Sequence, residues 1–555
     1  MAGNDSANCL TRGWKYLISN HSHDANGGCA PDCVCKDMEY RCRKARDIAE
    51  IVSDGAMVEI AKNLSLAGQN QNIVQLVAYN TLPYSRDVIV PLDIEVPEEL
   101  GKGIAIDDVV LQPVLSEKSS IFVDSIWEVP TILESMHYKL YARIENVPPM
   151  GYKAMEIKPC KYALQEKEGI AHGNTLENSK LKAVVNSNGT IDVLYKKTGK
   201  LYKGLNYYTS QGEVGNAWKH VSPECDRKYT SIGANAKIYV FESGVLTGSI
   251  VCEIDFEVPE SCEAAPSNIY TIISINITYT LDEYADYIKV SAEVVNNAKD
   301  HWLRANFPTD IKTEFSVTNS HFDVLKHDIA IPDSLGWVEQ AFGMQPLRAF
   351  AEVIDGENGF AVMPKELYEY EVYDDSVMAL TLIRACRIKL AVSEEKVTEL
   401  EDEGIQCPGK HIFEYAMHFN TGDYDELPNK ASKIFTPVKC AVCGRGKGNL
   451  PLGDSMLEID NTHIHVTAIK RAEDGNGTIV RYYNPKNEPQ SVTIKTKGSL
   501  YICRMDESII EEISNTYLAP AKKDSYSENC QMTEIEKSEF LKTAVTEKVS
   551  LVFVL

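Results

Sequence analysis

The turn that contains His21, His23 and Asp24 is the first place where side chains of this sequence can do chemistry together. It reads His21-Ser-His23-Asp24, is followed by two glycines, and lies between two segments of helical periodicity. Imidazole nitrogens and a carboxylate at a helix–helix junction are ligands that Zn²⁺ accepts, but a zinc site takes three or four of them. The turn alone supplies two or three. The alternative is therefore an ordinary loop with a capping Asp and a surface His.

Cysteines form two further groups. Cys29, Cys33, Cys35 and Cys42 are spaced C-x3-C-x-C-x6-C, which is not a zinc-pair spacing. We expect them to be small buried residues on a helix face. Cys440-Ala-Val-Cys443 is a C-x-x-C without a second pair or a thioredoxin-like context, which does not favour a redox or zinc role.

Arg384 is the third candidate, in the alternating run Ala379-Leu-Thr-Leu-Ile-Arg-Ala385. An Arg on a strand can point into a cleft and make paired hydrogen bonds to a ligand. The alternative is a structural ion pair with one of the 80 acidic residues. Arg304 and Arg348 pose the same question. The sequence has no phosphate-binding glycine loop and no G-x-S-x-G nucleophile elbow.

Helices must position the turn. Apolar residues recur at i, i+4, i+7 and i+8 over residues 10–18, and a second run over residues 34–52 keeps the helical period. Asp32 stands where the N-cap of that second helix would be. A third amphipathic piece over residues 55–66 leads into the polar linker 67–72. The two glycines of the turn allow a positive φ there.

After that linker the period changes to two, which predicts strands. The alternating runs are residues 73–79, 87–91, 249–258, 270–281, 287–295, 378–383 and 550–555. Residues 201–227 are typical of a long ordered loop, and residues 420–448 of a domain boundary. The predicted fold class is mainly β, with a short N-terminal helical bundle followed by several β-sandwich domains.

Four domains are predicted, the third a large super-sandwich. They are a helical domain at 1–70, a small β domain at 73–165, a large β-sandwich domain at 166–430 and a C-terminal β-sandwich domain at 450–555.

Composition excludes several classes of partner. The 555 residues carry a formal net charge of −24, so phosphate backbones and anionic membrane surfaces are repelled and neither nucleic acid nor a membrane is expected. The start shows no secretory signal, no run approaches the roughly 20 apolar residues of a membrane helix, and the 15 cysteines are scattered. We expect a cytoplasmic protein with reduced thiols. Tyr outnumbers Phe 28 to 14, a slight hint of a hydroxyl-rich ligand such as sugar.

The turn and its flanks resemble a known family. Asn20-His-Ser-His-Asp-Ala-Asn-Gly-Gly-Cys-Ala-Pro-Asp32, followed by Val34 and Asp37-Met-Glu-Tyr-Arg41, is similar to the middle helical domain of glycoside hydrolase family 38, the α-mannosidases. The bacterial branch typically reads N-H-x-H-D-S-x-x-G-C-S-x-D-x-V-H there. Further matches follow in the family's order. They are Val77-Ala-Tyr-Asn-Thr-Leu-Pro-Tyr-Ser-Arg86, Asp300-His-Trp-Leu-Arg-Ala-Asn-Phe-Pro308, Gln345-Pro-Leu-Arg348, Asp355-Gly-Glu-Asn-Gly-Phe-Ala361, Leu380-Thr-Leu-Ile-Arg-Ala385, Gly409-Lys-His-Ile-Phe-Glu-Tyr-Ala416, Val466-Thr-Ala-Ile-Lys470 and Arg481-Tyr-Tyr-Asn-Pro485. Their order and number cover essentially the whole chain.

The resemblance implies a retaining, zinc-dependent α-mannosidase that hydrolyses α-mannosidic bonds in carbohydrate and mannose metabolism. Such retention uses two carboxyls about 5 Å apart. His23 falls on the family's zinc-ligand His, Asp24 on the neighbouring Asp that contacts sugar, and Arg384 on an Arg that reaches the active site from the β-domain. Cys35 stands where family members often have His.

The chain departs from the family in one large respect. Only about 20 residues precede the turn, where the family has a barrel-like domain with the other zinc ligands, the nucleophile and the acid. The resemblance therefore places no catalytic residue in this chain, and leaves it uncertain whether the chain alone is an enzyme.

We accordingly expect the middle and C-terminal part of an α-mannosidase, inactive without the N-terminal domain. Zn would have one ligand here, and the partners would be a mannoside or mannose-containing oligosaccharide and a separately encoded catalytic domain. Whether the chain forms a homo-oligomer is left open by the sequence. The alternative is a stand-alone β-sandwich carbohydrate-binding or structural protein.

Overall fold

The computed structural model describes residues 4–65, 74–100, 103–125, 128–160, 169–338, 340–374, 376–387, 390–393, 396–398, 403–422, 424–444, 446–521 and 549–554. The mainly-β prediction is confirmed, because helices dominate only the first 65 residues. The α-helices are α1 (Asn4–Ile18), α2 (His23–Asn26), α3 (Asp32–Lys62) and α4 (Leu427–Phe435), and the short 3₁₀ turns are Glu98–Leu100, Ser231–Gly233 and Gly404–Gln406. The linker predicted at 67–72 lies outside the described residues.

The strands fall into three groups along the chain. The first group is β1 (Val74–Asn80), β2 (Arg86–Pro97), β3 (Ile104–Ile106), β4 (Val110–Ser125), β5 (Glu128–Val147) and β6 (Gly151–Pro159). The second group is β7 (Ala171–His172), β8 (Thr175–Glu177), β9 (Leu181–Val185), β10 (Ile191–Tyr195), β11 (Lys200–Leu205), β12 (Tyr207–Gly212), β13 (Tyr229–Thr230), β14 (Ala236–Ser243), β15 (Thr247–Pro259), β16 (Tyr270–Asp282), β17 (Tyr287–Asn296), β18 (His301–Pro308), β19 (Phe315–Ser320), β20 (Asp323–Asp328), β21 (Gln345–Pro346), β22 (Ala351–Ile354), β23 (Gly359–Lys365), β24 (Glu369–Tyr373), β25 (Val377–Ala385), β26 (Leu390–Ser393), β27 (Lys396–Thr398) and β28 (Gly409–Asn420). The third group is β29 (Lys439–Cys443), β30 (Gly453–Ser455), β31 (Glu458–Ile459), β32 (His465–Arg471), β33 (Thr478–Tyr483), β34 (Gln490–Lys495), β35 (Leu500–Cys503), β36 (Ile509–Ile513), β37 (Thr516–Ala519) and β38 (Val549–Val554).

The helical piece differs from the prediction in two ways. Residues 55–62 do not form a separate helix, because α3 runs without a break from Asp32 to Lys62. Asp32 is the first helical residue rather than the cap, a position that Pro31 takes. The Asp32 carboxylate instead accepts a hydrogen bond from the backbone N–H of Gly404, at 3.0 Å, and so ties the start of α3 to the large sandwich.

Helix α3 is the element that places the turn. Its 31 residues span about 46 Å at 1.5 Å per residue. Its far end packs Met57 and Ile60 on the outer face of the small β domain, against Val77 and Tyr79. The N-terminal end of α3, at Asp32, therefore places the turn beside the loops of the large sandwich.

The small β domain is a sandwich of two sheets, β29-β1-β6-β3 and β2-β5-β4, with β30 pairing with β6. Alternating apolar residues of both sheets meet in one core. Strand β29, from the segment predicted as a boundary, pairs antiparallel with β1. The four-domain division remains a proposal, with the addition that residues 439–455 return to the sheets of the small β domain.

The large sandwich packs the nine-stranded sheet β14-β15-β16-β17-β28-β23-β22-β19-β20 against two smaller sheets. These are β11-β10-β9-β8-β7 and β13-β12-β18-β25-β24-β21. The loop predicted at 201–227 is partly wrong, because β11 and β12 occupy its first half. Asn206, with φ of 66°, separates these two strands and breaks their alternating pattern. Residues 213–228 do form an irregular loop.

The C-terminal sandwich has sheets β31-β34-β37 and β32-β33-β38-β35-β36. The predicted last strand is confirmed as β38, which lies between β33 and β35. Among the described residues, no helix is long and apolar enough to cross a membrane.

One close approach in the small domain gives a stability prediction. A Cβ at Gly151 would lie 2.0 Å from the carbonyl oxygen of Asp454, where β6 pairs with β30. Gly151→Ala should therefore lower the free energy of unfolding by about 1–3 kcal/mol, the usual cost of overpacking, measured by thermal denaturation. Gly55→Ala is the control, because a Cβ there meets nothing within 4 Å and a helical Gly to Ala change stabilises by about 0.5–1 kcal/mol. Equal melting temperatures for the two variants would contradict the close contact.

Candidate functional site

The turn presents His23 and Asp24 to solvent on α2. Their side chains are 94% and 63% exposed, and His23 Nε2 lies 3.2 Å from Asp24 Oδ1. The thiol of Cys29 donates a hydrogen bond to the backbone carbonyl oxygen of Asp24, at 3.4 Å. Gly28 has the positive φ expected from the two glycines, 74°. The structure thus brings together the predicted metal ligand and the predicted sugar contact on an open surface.

A loop of the large sandwich faces this turn. A Cβ at Gly27 would lie 3.3 Å from the indole nitrogen of Trp218, so the indole lies directly against the turn. Trp218 remains 56% exposed. Its backbone conformation is set by Asn216, whose side-chain oxygen accepts hydrogen bonds from the N–H groups of Trp218 and Lys219 at 2.9 and 3.1 Å. The turn and this loop therefore share one surface.

Glu213 holds the loop from beneath. Its carboxylate is completely buried and accepts hydrogen bonds from the backbone N–H groups of Gly215 at 2.7 Å and Val221 at 3.2 Å. His220 Nδ1 lies 2.5 Å from the other carboxylate oxygen. Both ends of the loop are thus attached to one buried negative charge.

Arg384 supplies the opposite charge. Its guanidinium lies 3.4 Å from Glu213 and donates hydrogen bonds to the carbonyl oxygens of Asn216 at 2.7 Å and Ala217 at 2.6 Å. These contacts are those of the structural ion pair that the sequence left open as an alternative. Direct contact of Arg384 with a ligand stays a proposal.

The sheet below explains how residues distant in the chain meet here. Gln211, Trp302 and Arg384 are cross-strand partners on β12, β18 and β25. The Trp302 ring lies 4.5 Å from that of His220, and its indole N–H donates to the Thr381 hydroxyl at 3.0 Å. Three strands therefore form a fixed floor under the loop.

Of the other candidate arginines, Arg304 lies on β18 within the same floor, and Arg348 lies on another loop. Arg304 donates to Glu371 and Gln211 and stacks on Trp302 at 3.8 Å, which matches the ion-pair interpretation. Arg348 is exposed.

The cysteine expectation is wrong for the first group. Cys33 and Cys42 are exposed, and Cys29 and Cys35 are half-buried, because the turn before α3 and this side of α3 face solvent. In the second group, burial raises the pKa of the Cys440 thiol to about 12.

The described residues do not fit a complete zinc site. No group of three or more His, Cys, Asp or Glu side chains in the described part of the chain stands ready to hold a metal ion. His23 and Asp24 supply two donors, fewer than zinc takes.

Sequence reasoning missed Trp218, Glu213 and His220. All three fall in the segment predicted as a long loop, and Glu213 was one acidic residue among 80. The only available signal was an exposed aromatic in a Gly- and Asn-rich loop.

Two family models match the chain. The glycosyl hydrolases family 38 C-terminal domain matches residues 176–389, and the family 38 C-terminal beta sandwich domain matches residues 463–522. These are the large sandwich and the C-terminal sandwich, so the chain has the architecture of a multidomain glycoside hydrolase. Residues 176–389 and 463–522 thus carry the C-terminal domains of glycoside hydrolase family 38.

The chain is also similar to individual curated proteins and, in its fold, to a solved structure. A protein named "Putative mannosylglycerate hydrolase" from Halalkalibacterium halodurans is 26% identical over 90% of this chain and 60% of its own length. The alpha-mannosidase of Saccharomyces cerevisiae is 23% identical over 45% of this chain and 21% of its own length. An alpha-mannosidase structure from Enterococcus faecalis superposes with a TM-score of 0.85 and 19% identity, covering 99% of this chain and 64% of that one. The chain thus spans less than two thirds of the length of these relatives.

Proposed function

We propose that this chain forms one wall of the active site of a retaining α-mannosidase-type glycoside hydrolase. The observation that carries the proposal is the convergence of the exposed His23–Asp24 turn with the Trp218 loop. The family assignment and the mannoside-acting relatives support a mannoside or mannose-containing oligosaccharide as the substrate.

Each residue has a role that its position supports. Trp218 offers an exposed indole face, and pockets for small ligands combine aromatic surface with a few polar groups. The Asp24 side chain is 63% exposed and would accept hydrogen bonds from sugar hydroxyls, and His23 would be one ligand of a zinc ion whose other ligands come from outside this chain. Glu213 and Arg384 hold the backbone of the loop that carries Trp218 in place.

The nucleophile and the general acid of the proposed enzyme lie outside this chain, and so do the remaining zinc ligands. Zinc supplies Lewis-acid polarisation of bound hydroxyls when a site is complete. His23 and Asp24, the donors found among the described residues, are too few to hold it tightly.

Sugar binding gives the test. In titrations of the 555-residue chain with mannobiose, followed by protein NMR, we expect weak saturable binding. Trp218→Ala should raise the dissociation constant about tenfold, equivalent to 1.4 kcal/mol. The matched control is Trp337→Ala, because Trp337 is 59% exposed but lies on another loop. If both variants bound mannobiose equally well, Trp218 would not be part of the sugar-binding surface.

A second measurement separates binding from catalysis. The pure chain should hold substoichiometric zinc by mass spectrometry and should not hydrolyse an aryl α-mannoside. If the pure chain hydrolysed the substrate and His23→Ala abolished this activity, the catalytic residues would lie within this chain. That result would contradict the proposal that the nucleophile and the general acid lie outside it.

A further inference from the structure

Three side chains of the loop at residues 213–228 form a row of hydrogen bonds that ends at solvent. Ser222 Oγ lies 3.2 Å from His220 Nε2, and His220 Nδ1 lies 2.5 Å from Glu213 Oε2. Glu213 is completely buried, the His220 side chain is 12% exposed, and Ser222 is exposed. A hydroxyl, an imidazole and a carboxylate in this order are the nucleophile, the base and the orienting group of serine hydrolases. We call these three residues the Ser222 triad.

The buried carboxylate decides which ring nitrogen of His220 carries the proton. Glu213 Oε1 accepts two backbone N–H groups of the loop, and Oε2 lies 3.4 Å from the Arg384 guanidinium. A carboxylate is an acceptor only, so His220 Nδ1 donates to it. The lone pair of Nε2 is then left for the Ser222 hydroxyl, which donates to it. This is the arrangement that a general base needs in order to take the proton of a nucleophile.

Packing around the Ser222 triad holds its members in place. The Trp302 ring is 4% exposed and lies 4.5 Å from the His220 ring, so it covers one face of the imidazole. Pro223 is buried, and a Cβ at Gly212 would lie 2.7 Å from its Cγ, so the proline lies directly against β12. A residue that precedes a proline is restricted to extended backbone. Ser222 is therefore anchored on its C-terminal side, while its hydroxyl faces solvent.

A donor for a developing oxyanion stands beside the hydroxyl. In serine hydrolases the backbone N–H of the nucleophilic serine is one of the donors that bind the tetrahedral intermediate. Within the described part of the chain, the backbone N–H of Ser222 has no hydrogen-bond acceptor, whereas that of Val221 is taken by Glu213. The N–H of Ser222 is thus available for the negative charge that forms on a substrate carbonyl oxygen.

We propose that Ser222 is the nucleophile of a carboxylic-ester hydrolase site, with His220 as general base and Glu213 as the positioning carboxylate. Ser222 Oγ attacks the carbonyl carbon of the ester while its proton passes to His220 Nε2. The tetrahedral intermediate collapses when the alcohol leaves with that proton, and an acyl group remains on Oγ. Water then attacks the acyl carbon, His220 takes the proton of the water, and release of the acid returns that proton to Ser222. Water is the only co-reactant.

This activity goes beyond the proposed mannoside binding. It needs no zinc ion, no sugar and no residue outside this chain, because the three members of the Ser222 triad lie within ten residues of one another. Ester hydrolysis and mannobiose binding are therefore measured separately, and the failure of one leaves the other standing.

Hydrolysis of p-nitrophenyl acetate by the 555-residue chain tests the proposal. We expect saturable release of p-nitrophenolate, and Ser222→Ala should lower kcat/KM at least about 100-fold, the usual scale of such proton-transfer catalysis. Ser508→Ala is the matched control and should keep the rate of the parent, because Ser508 is also exposed but its hydroxyl donates to Asp506 at 2.6 Å rather than to a histidine. Equal rates for Ser222→Ala and the parent would overturn the proposal, as would a parent no faster than free imidazole.

Covalent trapping separates the role of each member. A fluorophosphonate probe should attach to Ser222, located by mass spectrometry of the peptide, and His220→Gln should abolish the labelling. Glu213→Gln should lower kcat with KM unchanged, because an amide can donate to His220 Nδ1 and so stabilise the wrong tautomer. All variants are compared below their melting temperatures. Labelling of a different residue, or a Glu213→Gln chain with the kcat of the parent, would contradict the assignment.

Discussion

Glu213→Ala is expected to lower the melting temperature of the large sandwich by about 10 °C. The substitution leaves the backbone N–H groups of Gly215 and Val221 and the ring of His220 without their carboxylate partner, and it leaves Arg384 without its counter-ion. Removing one partner of a buried charge pair costs about 3–5 kcal/mol, and 1 kcal/mol corresponds to about 2–4 °C in a domain of this size. Differential scanning calorimetry measures the shift.

The local consequence separates this effect from general destabilisation. The amides of residues 214–222 should exchange with deuterium much faster in Glu213→Ala, and mannobiose binding should weaken with them because Trp218 is no longer held. Glu414→Ala is the control, because Glu414 pairs with Lys365 on the surface, with both side chains nearly half exposed, and such pairs contribute about 0–1 kcal/mol. A Glu213→Ala chain with unchanged loop exchange would show that Glu213 does not support the loop.

Local patterns in the sequence were sufficient for most elements. The strands predicted at 249–258, 270–281 and 287–295 lie within β15, β16 and β17, because one face of each strand is buried and period-two alternation follows directly. Helix α3 was divided wrongly because its exposed surface weakens the apolar period after Val52. Only its end at Met57 and Ile60 packs on the sheet.

The candidate site was only half predictable, for a physical reason. His23 and Asp24 are adjacent, so their pairing is visible in the sequence. Glu213 and Arg384 are 171 residues apart and meet only because β12, β18 and β25 are neighbours in one sheet. Pairing between distant strands is decided by the whole sandwich, and no local pattern reveals it.

Acid should destabilise the chain through its buried histidines, and the loss should begin above the pH range where carboxylates titrate. Burial lowers the pKa of His301 to about 4 and that of His465 to about 4, and it also lowers the pKa of His418. In the unfolded chain a histidine has a pKa of about 6.5. The unfolded state therefore binds protons first as the pH falls. The stabilisation is complete above pH 6.5 and is lost progressively towards pH 4, by at most about 3 kcal/mol each for His301 and His465.

His301 offers the sharpest test of this pH dependence. Its ring nitrogens lie 3.1 Å from the Ser210 hydroxyl and 3.0 Å from the Asn296 side-chain oxygen, contacts that an amide can replace in part. His301→Gln should melt lower at pH 7.5 but should lose less stability than the parent between pH 7.5 and 5, because one titrating group is gone. His23→Gln, which replaces a 94% exposed histidine, should follow the parent at every pH. A parent melting temperature that stays constant from pH 7.5 to 5 would contradict the burial of neutral histidines as the source of acid sensitivity.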